Sequence, residues 1–403
     1  MTLLLAALLS LSPAAAADPA STAPVRGVHL TAWVAGAPKD RRAFLERIPG
    51  TLVNAVVVPV KEYDGNVYIP GVASASALGT VRIAISDPKA LVADIKARGL
   101  YAVARVVVFK DDTLARKRPE WGVQDERGGL WKNQNGVVWV DPYRKEVRDY
   151  NLDVAEAAAR AGFDEVQFDY IRFPSDGDTR RCRYSRVDHS TATAAALIDE
   201  FLEAARARMN ASGVRMSVAV FGLTTTAHDD MGIGQTLLKM TSRVDAVSPM
   251  MYPSHYARGE YGLANPNGEP YKIISWGLRD AKRKLGGSEK LRPYLQDFSL
   301  GFKYGPAQVR AELRAARRQG VESWIMWNPL NRYTWEALKP FTPEELTPIP
   351  GEDDPPAPKK DRPAKPPKAV KASTAAAVSP SSAAPAALPD DRTLEDAETK
   401  EEL

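Results

Sequence analysis

Short runs of β-branched and aromatic residues alternate along the chain with longer stretches in which apolar residues recur every three or four positions. The first pattern is typical of buried parallel strands, and the second of amphipathic helices packed against them. We predict eight strands, at 27–33, 53–60, 101–109, 165–171, 215–221, 244–251, 291–297 and 321–327. Eight alternating strands and helices favour a (β/α)8 TIM barrel, predicted here for residues 27–341.

Proline at the start and glycine at the end mark three of the helices. The predicted helices begin at Asp87-Pro88, at Asp141-Pro142 and at Pro306, and they close at Gly99, Gly162 and Gly320. Two helices carry an apolar face at helical spacing, as expected for helices packed outside a parallel sheet: Leu91, Val92 and Ile95 on one, and Ile274, Leu278, Ala281 and Leu285 on the other.

The long connections all follow strands, at 110–140, 172–191 and 253–272, whereas the connections from helix back to strand are short. In TIM barrels the chemistry lies at the carboxyl ends of the strands, in the loops that leave them. A doubly wound sheet is the alternative fold. No GxGxxG turn follows any predicted strand, so the sequence offers no recognisable site for a nucleotide cofactor.

The two ends of the chain differ in composition from the predicted barrel. An apolar run at 3–11 followed by small residues predicts a signal peptide at 1–17 and a secreted, periplasmic or cell-envelope location, although no Lys or Arg precedes the run. An uncleaved anchor is the alternative, but the run is too short to span a bilayer. The Pro- and Ala-rich segment 347–403 predicts a disordered tail, favoured as a spacer over a tether.

Composition narrows the function further. The chain has 403 residues, of which 44% are hydrophobic and 26% charged, which is typical of a soluble globular protein. A net charge of +4 gives no field that would favour nucleic acid or an anionic membrane. One cysteine, Cys182, excludes an intrachain disulfide, and four histidines without an HExxH motif disfavour zinc hydrolases. We expect no cofactor or metal, no integral membrane span, and a monomer.

The strongest chemical signal is the segment 162–178, in which Asp169 lies near the end of the fourth predicted strand. Ionised groups are rarely buried inside a barrel unless they are paired or used, so we predict a catalytic role for Asp169. The alternative is a structural ion pair with Arg172 or Arg105. These two arginines are also candidates for orienting carboxylates or holding an acidic sugar.

Two further carboxylates follow predicted strands. Glu62 comes after the second strand beside Lys61, a neighbour that could set its proton affinity, and Asp297 closes the seventh strand. A solvated salt bridge between Lys61 and Glu62 is an equal alternative. Asp64-Gly65 predicts a hairpin turn leading into a short strand at 66–69. Glycoside hydrolysis needs two carboxyl groups across the scissile bond, and these residues provide three candidates.

Aromatic and amide side chains are predicted at the same end of the barrel. Sugar rings stack on aromatic faces, and their hydroxyls bind polar side chains, so this mixture favours a carbohydrate groove. The predicted substrate-binding residues, in addition to the two arginines, are Trp33, Tyr252, His255, Trp327 and Asn328.

Seven segments together resemble the glycoside hydrolase-like domain family of bacterial secreted and sporulation-associated proteins, long classed as a domain of unknown function. The segments are 27–36, 58–67, 104–121, 139–151, 162–177, 248–256 and 292–299. The resemblance implies a TIM barrel related to glycosidases, without a settled substrate. At the position of Glu62 this family more often has Asp, which keeps the carboxylate but changes its reach.

A weaker similarity links the fourth strand to the DxxDxDxE pattern of family 18 chitinases. Asp164 and Asp169 match the first and third acids, whereas Gln167 and Ile171 stand where the second acid and the catalytic Glu would be. Tyr252 and Trp327 are similar to that family's sixth-strand Tyr and eighth-strand Trp. The missing Glu disfavours substrate-assisted chitin cleavage and leaves Asp169 as the retained acid.

These observations lead to two main hypotheses. The first is an exported glycoside hydrolase that cleaves a polysaccharide with Asp169 and either Glu62 or Asp297. The second is a catalytically inactive barrel that binds carbohydrate. A metal-dependent hydrolase has little support, because only His29, His228 and His255 could lie near the mouth.

Overall fold

The computed structural model describes residues 23–352 and contains a closed barrel of eight parallel strands. Each strand pairs with its neighbours in chain order, and β1 closes the ring by pairing with both β2 and β8. The TIM barrel and all eight strands are thereby confirmed. The strands are β1 (Arg26–His29), β2 (Ala55–Lys61), β3 (Tyr101–Val107), β4 (Glu165–Asp169), β5 (Arg215–Phe221), β6 (Ala246–Met250), β7 (Tyr294–Gln296) and β8 (Trp324–Trp327).

Helices cover the outside of the barrel and bury their apolar faces against it. The predicted inner faces are buried except at Leu285, which is half-buried. The helices are α1 (Ala32–Gly36), α2 (Pro38–Leu45), α3 (Ala73–Leu78), α4 (Pro88–Lys96), α5 (Asp112–Lys117), α6 (Lys145–Ala161), α7 (Thr191–Ala211), α8 (Leu237–Arg243), α9 (Pro270–Leu285) and α10 (Pro306–Arg318).

Two of the three predicted helix starts are correct. The Asp87 side chain accepts a hydrogen bond from the Ala90 N–H at 2.9 Å and caps α4, and α10 begins at Pro306. The predicted start of α6 at Asp141-Pro142 is wrong by about one turn. Asp141 instead accepts hydrogen bonds from the backbone N–H groups of Tyr143 and Ser185, at 3.0 and 2.7 Å, and so ties two loops together before the helix begins.

The turn after β2 forms, but the short strand predicted at 66–69 does not. Gly65 adopts a φ of +82°, and its N–H donates to the Glu62 carbonyl at 2.9 Å. A Cβ on Gly65 would lie 1.9 Å from Asp111 Oδ1, so glycine is required both for the turn and for the close approach. Val67 makes only isolated bridges, to Lys61 and Val81.

The long loops after β3 and β4 pack on each other at the carboxyl end of the barrel. Two short antiparallel strands, Gln124–Asp125 and Cys182–Arg183, join them. The Trp131 indole N–H donates to the Asp178 carbonyl across the two loops at 3.1 Å. Together the loops form one wall beside the mouth.

The predicted signal peptide at 1–17 and most of the predicted tail, 353–403, lie outside the described residues. The first part of that tail contacts the barrel, since Glu352 forms an ion pair with Arg314 of α10. Between residues 23 and 352 no helix combines the length and apolarity needed to cross a bilayer.

Candidate active site

A buried arginine joins two carboxylates at the carboxyl end of the barrel. Asp169 is the last residue of β4, Arg105 lies on the neighbouring β3, and Glu62 follows β2. The Arg105 Nε and Nη2 donate to Asp169 Oδ2 at 2.8 and 2.7 Å, and its Nη1 donates to both Glu62 oxygens at 2.9 Å. The structure thus brings together two of the three predicted catalytic carboxylates. It also gives Asp169 the ion pair with Arg105, rather than with Arg172, that was its structural alternative.

A β-bulge in β2 places Glu62 inside the barrel mouth. The pairing with β3 is regular up to Pro59–Arg105 and then shifts, so that Lys61 pairs with Val106. The extra residue reverses the alternation of side chains. Lys61 therefore points out of the barrel, where it is fully buried and forms an ion pair with Asp111 at 2.8 Å. The predicted coupling of Lys61 to Glu62 is wrong for this reason.

The electrostatic environment of Glu62 favours its protonated form. Burial raises the pKa of Glu62, and the charges of Asp64 and Asp169 raise it further, while Arg105 opposes the shift. One guanidinium is shared between two carboxylates, so it cannot fully balance both. The Glu62 side chain remains 15% exposed, which keeps it accessible from the mouth.

His29, at the end of β1, is a member of this cluster outside the predicted site. Its side chain is buried, with Nε2 at 3.9 Å from Glu62 Oε1 and the ring centroid at 4.1 Å from that of Trp327. Neither ring nitrogen has a hydrogen-bond partner within residues 23–352. Burial and the neighbouring Arg105 hold the pKa of His29 well below its usual value, so the imidazole is neutral. In the sequence, the position of His29 at the end of a predicted strand was the only indication that it would lie at the site.

Tyr170 fixes the orientation of the Asp169 carboxylate. It has a φ of +49°, a left-handed conformation that is rare for a non-glycine residue, and its backbone N–H donates to Asp169 Oδ1 at 2.6 Å. Strained backbone of this kind is concentrated at functional sites. With Arg105 on the other oxygen, both oxygens of Asp169 accept hydrogen bonds.

A small pocket opens above this cluster. Five of its lining residues are predicted site residues, namely Arg105, Asp169, Tyr252, His255 and Trp327. The remaining lining residues are Tyr170, Met250, Tyr294, Phe298 and Pro329. An acid at the base of a largely aromatic wall suits a sugar ring, whose C–H faces stack on aromatic side chains.

Asp297 and Asn328 lie outside this pocket lining and hold the loop after β8. The Asp297 carboxylate accepts hydrogen bonds from the Thr334 N–H at 2.6 Å and from its hydroxyl at 2.7 Å. Burial raises the pKa of Asp297 to about 7 against these two bonds. The Asn328 amide donates to the Asp297 and Arg332 carbonyls. The catalytic role of Asp297 and the substrate-binding role of Asn328 stay predictions. The hydrogen bonds of both residues stabilise the loop after β8.

Trp33 and Arg172 also lie away from the pocket lining. Trp33 projects from α1 and is 37% exposed. Arg172 is buried, donates to the Phe173 carbonyl and the Ser175 hydroxyl, and stacks on the Trp139 ring with Cζ 4.9 Å from its centroid. Arg172 therefore braces the loop wall. In the described part of the chain, no three His, Cys, Asp or Glu residues come together in a way that could hold a metal ion.

Comparison with known proteins agrees with this barrel. The structure of the PgaB (BpsB) glycoside hydrolase domain from Bordetella bronchiseptica is similar at 14% identity and a TM-score of 0.59, covering 78% of this chain and 98% of that one. A hypothetical protein from Ruminiclostridium thermocellum ATCC 27405 is 30% identical, with a TM-score of 0.43, covering 47% of this chain and 96% of that one. The similarity to the Bordetella bronchiseptica domain shows that the two proteins share a fold. A search of curated proteins found no match.

A family model described as "Putative glycosyl hydrolase domain" matches residues 27–333, which is most of the chain and nearly the whole barrel. The match includes β2 to β8, all of β1 except its first residue Arg26, and every residue of the cluster around Arg105. The resemblance expected from the seven sequence segments is thereby confirmed, and the chain belongs to this glycosyl hydrolase family.

Proposed function

We propose that the protein is an exported glycoside hydrolase that cleaves a polysaccharide with Glu62 and Asp169 as its carboxyl pair. The observation that carries this proposal is the Arg105 bridge, which joins Asp169, in the lining of an aromatic pocket, to Glu62 on the other side of the guanidinium. Glycosidases use such a pair around an oxocarbenium-like transition state. Export is supported by the apolar, small-residue segment at 1–17.

Glu62 is the proposed general acid. A proton donor to the leaving oxygen must be protonated at the working pH, and burial together with two neighbouring carboxylates raises the pKa of Glu62. Arg105 contacts both oxygens of Glu62 and fixes the plane of its carboxyl group. As the glycosidic bond breaks, the proton passes from Glu62 to the departing hydroxyl.

Asp169 is the proposed nucleophile or base. It lines the pocket and accepts hydrogen bonds only, from Arg105 and from the Tyr170 N–H. A carboxylate in this position either attacks the anomeric carbon or removes a proton from the attacking water.

Arg105 limits the distance between the two acids. An oxygen of Glu62 and one of Asp169 lie no more than about 8 Å apart, because two hydrogen bonds and two C–N bonds of about 1.33 Å join them. This bound admits both the retaining and the inverting geometry.

A catalytically inactive, carbohydrate-binding barrel is the second candidate, and one observation favours it. Arg105 gives three of its N–H groups to the protein's own carboxylates, and buried Ile171 stands where family 18 chitinases carry the catalytic Glu. In this case the aromatic pocket would bind sugar without turnover.

The test is a screen of the full chain against bacterial and plant polysaccharides, with binding and reducing-end release measured in parallel. Asp169→Asn is the key variant, and Asp297→Asn is its matched control on another strand end. We expect release that disappears in Asp169→Asn while binding persists. Binding without release by the wild type would favour the inactive barrel, and release that persists in Asp169→Asn but disappears in Asp297→Asn would reassign the acid. Proton NMR of the first anomer released decides between retention and inversion.

A further inference from the structure

Exposed Trp33 and half-buried Arg82 form a cation–π pair beside the mouth. The Arg82 guanidinium carbon lies 4.9 Å from the centroid of the Trp33 ring, and the Tyr68 ring lies 5.8 Å from it on centroids. Trp33 is 37% exposed, and its neighbour in this region, Ile83, is 44% exposed. The pair therefore presents an indole and a cation on the surface rather than in the core.

The pair is connected to the carboxyl cluster through Tyr68. The Tyr68 hydroxyl donates to Asp64 Oδ2 at 3.1 Å, and Asp64 lies two residues beyond Glu62. The pKa of Tyr68 is raised by burial and by the charges of Asp64 and Glu62, and it is lowered by Arg82. Tyr68 therefore contacts both Asp64 and the Trp33 ring, and the charges of Glu62 and Arg82 both act on its hydroxyl.

Among the described residues, Arg82 is a cation beside Trp33 whose donors are not taken up by the protein. Arg105 is occupied by Asp169 and Glu62, and Arg172 by loop carbonyls and rings. No carboxylate of residues 23–352 forms an ion pair with Arg82, whose side-chain contact is the Trp33 ring. A planar guanidinium with free donors matches a carboxylate, and an indole face matches the C–H face of a sugar.

A second arginine that lies on an indole, Arg47 on Trp335, has a more densely aromatic setting. Arg47 lies 5.7 Å from the centroid of the Trp335 ring. Trp335 also packs edge-on against Phe44 and Tyr333, at 5.4 and 5.7 Å between centroids. Trp335 is thus integrated into an aromatic cluster, whereas the Trp33 ring is covered mainly by Arg82 and Tyr68 and is partly open to solvent.

We propose that Trp33 and Arg82 form an accessory subsite for a negatively charged sugar, with the indole stacking on the ring and the guanidinium binding its carboxylate. The inference rests on the proposed function for its connection to the cluster of Glu62 and Asp169. It narrows the substrate class to acidic polysaccharides, such as polymers of uronic acids.

The experiment measures binding without turnover, using the full chain with Asp169→Asn as the background. The probes are polygalacturonate and its neutral methyl ester, with alginate and hyaluronate as further acidic polymers. We expect the acid form of at least one polymer to bind more tightly than a neutral one, and less tightly as salt is added. Arg82→Gln should weaken binding about fivefold, and Trp33→Ala about tenfold. Arg47→Gln is the matched control and should leave binding unchanged.

Three results would overturn the subsite: equal affinity for acidic and neutral polymers, no binding of any acidic polymer, or equal losses in Arg82→Gln and Arg47→Gln. None of them depends on cleavage, so they are distinguishable from failure of the proposed hydrolase. Conversely, if acidic polymers bind through Arg82 and the wild type cleaves none of them, the subsite stands and the hydrolase proposal is at fault.

Discussion

Two ionic clusters lie inside the same barrel at opposite ends, and they differ in charge balance. In the lower cluster Arg292 pairs with Glu165, which also accepts hydrogen bonds from the hydroxyls of Ser217 and Tyr101. In the upper cluster Arg105 is shared between Asp169 and Glu62. One cation balances one carboxylate below, whereas one cation is shared by two carboxyl groups above.

A neutral layer separates the two clusters. Gln167 lies between Glu165 and Asp169 on β4 and binds the side chains of Ser217, Ser248 and Tyr294. In the lower cluster Glu165 is almost fully buried and accepts hydrogen bonds from three residues, as expected of a structural ion pair, although Arg292 keeps an unpartnered Nε and lines a cavity at that end of the barrel. The upper cluster adjoins a pocket and leaves His29 with unpartnered nitrogens. The difference in charge balance is what the proposed function uses, because an acid that shares its cation with a second acid is protonated more easily than one that has a cation of its own.

The largest expected effect concerns the role of Glu62. Glu62→Gln keeps the shape of the side chain but cannot give up a proton, so turnover of a natural glycoside should fall about a hundredfold to ten-thousandfold. An aryl glycoside with an acidic leaving group needs no proton donor and should lose much less. Steady-state rates on both substrates check this. Equal losses on the two would contradict a general-acid role.

Glu165→Gln tests the lower cluster through stability. The change leaves Arg292 buried without a balancing charge and should lower the free energy of unfolding by about 3 kcal/mol. Urea denaturation measures the loss. Asp149→Asn, which breaks the exposed Lys145–Asp149 pair on α6, is the control and should change stability by no more than about 0.5 kcal/mol. If Glu165→Gln lowered the free energy of unfolding no more than Asp149→Asn does, the lower cluster would not be a stabilising ion pair.

Asp297 should make stability depend on pH. Its pKa is about 7 in the folded protein against 3.8 ordinarily, so the folded state favours the protonated acid. The contribution is fully present below about pH 4 and is lost as the pH rises through about 7, at a cost on the order of 4 kcal/mol. Denaturation at several pH values should show this slope, and Asp297→Asn should flatten it. A slope that is the same in the variant would mean that other groups produce it.

His29→Ala has the smallest expected effect. It removes a buried neutral ring whose Nε2 lies 3.9 Å from Glu62 Oε1 without a hydrogen bond between them, and turnover should fall by no more than about tenfold, because the ring helps to exclude water from Glu62. Because His29 would act through Glu62, the alkaline limb of the pH–rate profile should also move. His29→Gln is the conservative variant and should restore part of the rate. A lower rate with an unmoved profile in both variants would indicate packing alone.

Much of the fold follows from local pattern, but parts of the site do not. The eight strands and the place of Asp169 at a strand end are visible in the alternation of residues. The bulge that separates Lys61 from Glu62 is not, since it depends on how β2 pairs with β3 across the barrel. The pairing of Asp169 with Arg105 rather than Arg172 likewise depends on tertiary structure, since it requires β3 and β4 to lie side by side. His29 carries no local motif, and its burial against Trp327 depends on closure of the ring.

The most direct test compares Asp169→Asn with Glu165→Gln, measuring initial rate and melting temperature on the same samples. Both variants neutralise a buried, arginine-paired acid of β4, four residues apart. We predict that Asp169→Asn loses turnover by about a thousandfold or more while remaining folded, and that Glu165→Gln melts earlier but turns over normally while folded. Turnover retained in Asp169→Asn, or lost equally in both folded variants, would contradict the assignment of catalysis to the upper cluster.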